Sequence, residues 1–400
     1  MSTQRLAPLS VASASSAMNA GQIIVFSLLP LVCQSIQLQG WHAGLILSIS
    51  SFCFALVSPI WGRLSERFGR VPVLTIGLLG YSAGTLLFTL LLDFGSVDQF
   101  GLTGFVCFLV VARCMQSLLM GAIIPSSTAY IVDTTPPEKR AQGMALLGAA
   151  QNIGAILGPV IISLLAAYSL LYSFYTAAVL TCISAVLVYC YADRLKTAGK
   201  PHVNVKPWPL IKNIATSFSD RRYRLYSLAG IGIFASYSIV QQPLAYWLKD
   251  SFGLSSSEAA SWLGMAMTAF AVAGTMIQLL VIPKLKFHPR QYLIPGFVLI
   301  GTGSLCILSL QSFSGLIIGM GAMGIGLSIA FVGYAGELTG RVNDDERGQA
   351  GGVIGATPAV GFMVGPLAGA FAYEVDGQLP FIATACLCVG LVVLTSVEQR

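Results

Sequence analysis

The feature that most constrains this chain is the recurrence of apolar runs about twenty residues long or longer, separated by short polar segments, through all 400 residues. A run of that length crosses the hydrocarbon of a bilayer as a helix. Lipid offers no hydrogen-bond partners, so only helices or a closed barrel satisfy the backbone there. Barrel strands would alternate polar and apolar residues, and these runs are continuous. The segmentation predicts twelve transmembrane helices, at 9–36, 43–61, 71–92, 101–131, 143–167, 171–192, 224–248, 258–283, 292–310, 314–338, 350–373 and 380–396. The 101–131 stretch is long enough that it must tilt or project. The expected fold class is all-α and integral to the membrane.

Composition narrows the function classes. Only 10% of residues are charged, against about 25% in soluble domains, which excludes a soluble enzyme, a nucleic-acid binder and a disordered chain. The nine cysteines all lie within apolar runs and form no CxxC or Cys/His cluster, so neither a disulfide framework nor a metal site is expected. The three histidines, His42, His202 and His288, fall in predicted loops, and no converging catalytic set is visible. No enzyme activity and no cofactor are expected.

The charges orient the helices. With the N-terminus in the cytoplasm, 20 of the 22 basic residues fall on cytoplasmic segments; Lys249 lies outside and Arg113 within a span. That asymmetry is the positive-inside rule, and it places both termini in the cytoplasm. The net charge of +6 therefore reports orientation, not a nucleic-acid partner. Trp41, Trp61 and Trp247 stand at predicted helix ends, where interfacial aromatics belong.

The halves repeat. Tyr130 and Asp133 match Tyr334 and Glu337 at a shift of 204, and Arg140, Gln142, Gly148, Gly154, Gly158 and Pro159 match Arg347, Gln349, Gly355, Gly361, Gly365 and Pro366 at a shift of 207. The predicted organisation is an N-terminal six-helix bundle over 1–192, a basic central loop over 193–223 and a C-terminal six-helix bundle over 224–400. A duplicated six-helix unit with a midplane cavity between pseudo-symmetric halves is the plan of rocking transporters.

Three motifs carry a resemblance. Gly62-Arg-Leu-Ser-Glu66-Arg67-Phe-Gly69-Arg70 follows the second span; its two glycines suit a tight turn between antiparallel helices. Arg113-Cys-Met-Gln116 lies in the fourth span and Gly154-Ala-Ile-Leu-Gly158-Pro159 in the fifth. Together they resemble the motifs of the major facilitator superfamily, in particular its twelve-span drug:proton antiporters of the tetracycline and multidrug efflux type. The chain departs from the family pattern at Glu66, where Asp is usual, at Val71, where a second base is common, and at Ile162 and Ser163, where two glycines are usual. Its second-half counterpart of the loop, Lys284–Arg290, is degenerate. The resemblance implies that Gly62, Glu66, Arg67, Gly69, Arg70 and Asp133 gate the cytoplasmic side, Glu66 by contacting the eleventh span and Asp133 by pairing with the loop's arginines. It also implies that Gly154, Gly158, Pro159, Gly361, Gly365 and Pro366 form hinges, with small residues four apart allowing close packing and proline a bend.

What the interior lacks bears on the cargo. All 16 acids map to loops or helix ends. Glu258 is no exception, because Ser255-x-x-Glu258 reads as a helix-start capping box. The first span offers Asn19, Gln22 and Gln34 where many cation-exporting relatives carry a buried acid. Arg113 is left as the one interior charge, and an arginine at that depth faces a cavity or a partner. The expected cargo is an anionic, zwitterionic or neutral amphipathic molecule, drug-like or siderophore-like. The candidate substrate-binding set is Arg113, Gln116, Asn19, Gln22, Gln151, Asn152, Tyr237, Gln241 and Tyr334, with Gln242 beside it. For Gln116 and the other polar members, interhelical hydrogen bonding is an equal alternative.

No nucleotide-binding signature is present, so an ion gradient must drive transport. Proton antiport is implied by the resemblance, with Asp133, Glu337 and Glu66 as proton-coupling candidates; anion exchange stays open. The expected protein is a monomeric multi-pass exporter of the cytoplasmic (inner) membrane whose partners are its small-molecule substrate, protons and the lipid bilayer. Uptake or exchange of a metabolite anion is the alternative.

Overall fold

The computed structural model describes residues 3–192, 221–285, 287–340 and 347–397; the central loop expected at 193–223 lies almost wholly outside them. Among the described residues the chain is helical throughout, without strands. The principal helices are α1 (Thr3–Ser35), α2 (Gly40–Phe68), α3 (Arg70–Phe94), α4 (Leu102–Met120), α5 (Ile123–Thr134), α6 (Arg140–Leu165) and α7 (Leu170–Tyr191). They continue with α8 (Arg221–Gln241), α9 (Leu244–Phe252), α10 (Ser256–Met276), α11 (Arg290–Leu310), α12 (Phe313–Gly340), α13 (Arg347–Val375) and α14 (Leu379–Val397). Eleven segments are long and apolar enough to cross a membrane, α4 and α5 together counting as one and α10 with its extension to Lys284 as another.

The seventh expected span, 224–248, differs. It is broken into α8 and α9 at Gln242 and Pro243. Proline has no N–H to donate, so a helix cannot pass through it with its hydrogen bonds intact. The fourth span likewise breaks at Gly121 and Ala122, which divides its length between two shorter helices. The eighth ends in a π turn, Ile277–Val281, and a 3-10 turn, Ile282–Lys284, where Pro283 interrupts the ladder.

Helix starts follow local chemistry. The capping box expected at Ser255 is formed: Glu258 N–H donates to Ser255 Oγ at 3.3 Å and Ser255 N–H donates to Glu258 Oε2 at 2.9 Å. Ser169 accepts from Leu171 N–H at 3.3 Å at the start of α7. The α2–α3 connection is shorter than the sequence suggested. Residues 62–68 are the last turns of α2, and the turn is a single residue, Gly69, at φ 95°. Gly62 is helical and makes no turn; only Gly69 adopts a backbone that an L side chain resists.

The described residues divide into two compact units. One comprises residues up to 37 and 49–192; the other comprises 38–48 and 221 onward. The first residues of α2 group with the second unit. There Trp41 N–H donates to Glu374 Oε1 at 3.2 Å, and a Cβ on Gly44 would meet the Pro366 carbonyl at 2.9 Å. In the first unit α1 is the central element, packed on α6 and α7. Val11, Met18, Leu74, Leu78, Tyr81, Met120, Tyr130 and Val188 build its core. In the second unit α8 packs on α13, and α11 on α12 and α14. Trp247 belongs to that core: it is buried against Phe252 and Phe381. His42 is also buried, in the first turn of α2 and stacked on Trp41 at 3.9 Å, not in a loop.

Candidate functional site

The first unit gathers its polar residues around Arg113 on α4. Both ends of Arg113 are held by amides: Nη1 donates to Gln116 Oε1 one turn along the helix, and Nη2 donates to Gln22 Oε1 on α1 at 2.6 Å. Gln116 Nε2 in turn donates to Thr85 Oγ1 on α3. Helix spacing explains the pair, since residues three apart share a face. Gly84 lets α3 approach α4 there, because a Cβ on it would lie 2.7 Å from that of Gln116. Arg113 is fully buried, and no carboxylate among the described residues pairs with it. Asn19 does a different job from Gln22. It donates to the Gln151 backbone carbonyl at 2.7 Å and ties α1 to α6. The Gln151 and Asn152 side chains are half-buried.

The second unit places its candidates elsewhere and among aromatics. Tyr237 on α8 is buried, stacks on Phe270 at 4.5 Å and donates to Met267 Sδ at 3.5 Å. Tyr334 on α12 is fully buried and donates to the Ile354 carbonyl at 3.0 Å, with Thr357 Oγ1 also in contact. Gln241 and Gln242 sit at the break between α8 and α9, and Gln242 Nε2 donates to the Gly40 carbonyl at 3.4 Å. Sequence reasoning missed what joins them. Phe331, Phe234 and Phe362 form a chain of ring contacts from Tyr334 to Tyr237, with centroids 5.7 to 6.1 Å apart. These three phenylalanines are half-buried, so the wall they form is partly open. The signal was there: Phe234/Tyr237 and Phe331/Tyr334 are aromatic pairs three residues apart on two helices.

Two charge clusters sit where the repeat predicts related positions. In the first unit Arg70, the first residue of α3, donates through Nε to Asp133 Oδ2 at 2.9 Å and through Nη1 to Ser65 Oγ at 2.7 Å. In the second, Arg290 opens α11 and donates through Nε to Glu337 Oε2 at 3.0 Å, while His288 Nδ1 lies 3.0 Å from Glu337 Oε1. The loop that looks degenerate in sequence therefore keeps the arginine–carboxylate geometry. It was hidden because Arg70 and Arg290 do not share the register of the other matches. Glu66 and Arg67 are exposed; Arg67 lies over the Phe68 ring at 5.3 Å, and Glu66 pairs with no described residue. The inner side chains of the eleventh span, Glu66's expected partner, lie outside the described residues.

The Gly-Pro motifs are packing seams in the structure. Both α6 and α13 run unbroken through Pro159 and Pro366. A Cβ on Gly154 would collide with the Ser16 carbonyl of α1, and one on Gly158 would lie 2.8 Å from the Ala20 carbonyl. Gly361 and Gly365 meet Phe234 and Ser238 of α8 in the same way, and Gly369 meets the Ile239 carbonyl. That carbonyl is the one that loses its helical donor at Pro243.

A family model described as Major Facilitator Superfamily matches residues 10–241 and 226–398. The chain belongs to that superfamily. It is a membrane transporter and not an enzyme. Among curated relatives in the Major Facilitator Superfamily, it is 25% identical to multidrug resistance protein 1 of Bacillus subtilis, over 92% of this chain and 90% of the relative. It is 28% identical to the class C tetracycline resistance protein of Escherichia coli, over 82% and 78%. The quinolone resistance protein NorA of Staphylococcus aureus is 22% identical over 94% and 92%. These relatives match the drug-efflux branch that the motifs resemble. The fold is shared with the human organic anion transporter MFSD10, at TM-score 0.69, 18% identity and coverage of 99% and 100%. A POT family transporter gives TM-score 0.76 at 12% identity, covering 98% and 95%.

Proposed function

We propose that this protein is a secondary exporter. It moves a small amphipathic molecule with an anionic, zwitterionic or neutral head out across the cytoplasmic membrane by alternating access. Arg113 is the observation that carries the proposal. Burying an ion is costly, by several kcal/mol even after relaxation. Here the guanidinium is met by two amide oxygens that supply dipoles but no charge. A substrate carboxylate or other anionic head supplies what is missing. Carboxylate siderophores and acidic drugs have that chemistry. The resistance proteins among its relatives support export over uptake.

Proton influx is the proposed driving force, with Glu337 as the leading proton site. It is the buried carboxylate of the described structure, whereas Asp133 and Glu66 are exposed. The proposed cytoplasmic gate is the α2–α3 turn with Arg70 and Asp133, and the α6 and α13 Gly-Pro segments act as its hinges. Both termini are cytoplasmic and the working unit is the monomer. The test is uptake by everted membrane vesicles under an imposed proton gradient. Amphipathic carboxylates should accumulate and lose accumulation in Arg113→Ala; preference for permanently cationic dyes, unchanged in that variant, contradicts the proposal.

A further inference from the structure

Five side chains of the first unit close a ring that substrate export leaves half explained. Arg113 donates to Gln116 and Gln22, and Gln116 donates to Thr85. Thr85 stands one turn beyond Tyr81 on α3 and donates to its carbonyl at 2.8 Å. Tyr81 returns to α1, where a Cβ on Gly21, the neighbour of Gln22, would lie 2.5 Å from Tyr81 Oη. Two donors of this ring find no acceptor among the described residues: Arg113 Nε–H and Tyr81 Oη–H. Both side chains are fully buried, and they reach adjacent residues of α1, Tyr81 at Gly21 and Arg113 at Gln22. Meanwhile the amide and hydroxyl oxygens that face Arg113 and Gln116 are already engaged. The ring therefore has donors in excess and one positive charge in excess.

We infer that this ring is a binding site for a small monoanion that accepts from Arg113 Nε–H and Tyr81 Oη–H together. The inference rests on Arg113 being unneutralised, as in the proposed function, but not on the direction of transport. A water would satisfy the two donors and leave the charge buried without compensation. A monoanion satisfies both, and charge-assisted hydrogen bonds are the stronger kind. Its source is either free halide or the carboxylate head of a substrate, which share this chemistry. Of the five side chains only Gln22 is partly exposed, which marks the side of entry. Tyr81 is thereby assigned as a ligand-binding residue beside Arg113.

The experiment uses the full chain in nanodiscs of neutral phosphatidylcholine, with gluconate as the bulky reference anion. Binding of chloride-36 is measured by scintillation proximity, and thermal unfolding is followed at constant ionic strength as chloride or benzoate replaces gluconate. Saturable chloride binding and a raised Tm are expected. Tyr81→Phe, which removes one donor and keeps the ring shape, should weaken binding about tenfold. Gln22→Glu, which installs an internal counter-ion 2.6 Å from Nη2, should abolish the anion response in a protein that still folds. Benzoate competing with chloride assigns the site to carboxylate heads as well as halides. Anion-independent Tm and no saturable chloride binding overturn the site while leaving the export proposal standing. Chloride binding unaffected by either variant also overturns it. Chloride binding that transported carboxylates do not displace keeps the site and removes it from the substrate pathway.

Discussion

Among the described residues each unit buries one charge, Arg113 in the first and Glu337 in the second, and the two are handled in opposite ways. Glu337 in the second unit is buried with Arg290 and His288 at 3.0 Å from its two oxygens. Arg113 in the first unit is buried with amides alone. A compensated buried ion is held by its partners, and removing one strands the other. An uncompensated one waits for a partner to arrive. The difference separates a charge that ties helix ends together from a charge available to a ligand.

The largest effect should come from breaking the compensated site. Glu337→Ala takes from Arg290, itself 35% exposed, the buried carboxylate it donates to, at a cost of about 3 kcal/mol in stability, read as a fall in the unfolding midpoint. The related substitution Asp133→Ala should cost no more than about 1 kcal/mol, because Asp133 is 39% exposed where Glu337 is 4%. Equal losses at the two sites would break the comparison. Next come the seams that hold each unit. Gly154→Ala drives a methyl into the Ser16 carbonyl of α1 and should cost about 1–3 kcal/mol. Gly148→Ala on the same helix meets open space and should be neutral or gain up to about 1 kcal/mol. The smallest effect belongs to His288→Ala, since that side chain is 68% exposed; about 0.5 kcal/mol is expected. A larger loss there would make His288 a full partner of Glu337 rather than a peripheral one.

The fold was largely legible because lipid imposes a simple rule on sequence. Continuous apolar runs located the membrane helices, and Ser255-x-x-Glu258 announced its own cap. The break inside the seventh span went unread because hydropathy averages over Pro243, although a proline with two preceding glutamines is a local signal of a break. Arg113, Gln116 and Gln22 were singled out as interior polar residues, and the structure brings these three together. Tyr81 and Thr85 escaped notice because a lone tyrosine or threonine in an apolar run looks like packing. Only their position opposite α4 gives them meaning. Asn19 was grouped with Gln22 from sequence, yet three residues of helix rotate it towards α6 and the Gln151 backbone.

The most direct measurement is thermal-shift binding of a ligand panel divided by charge, on wild type and Arg113→Ala in parallel. Amphipathic carboxylates should raise the wild-type midpoint and lose that effect in the variant, while permanently cationic dyes should do little to either. Equal stabilisation of both proteins by cations would contradict Arg113 as the substrate's charge partner.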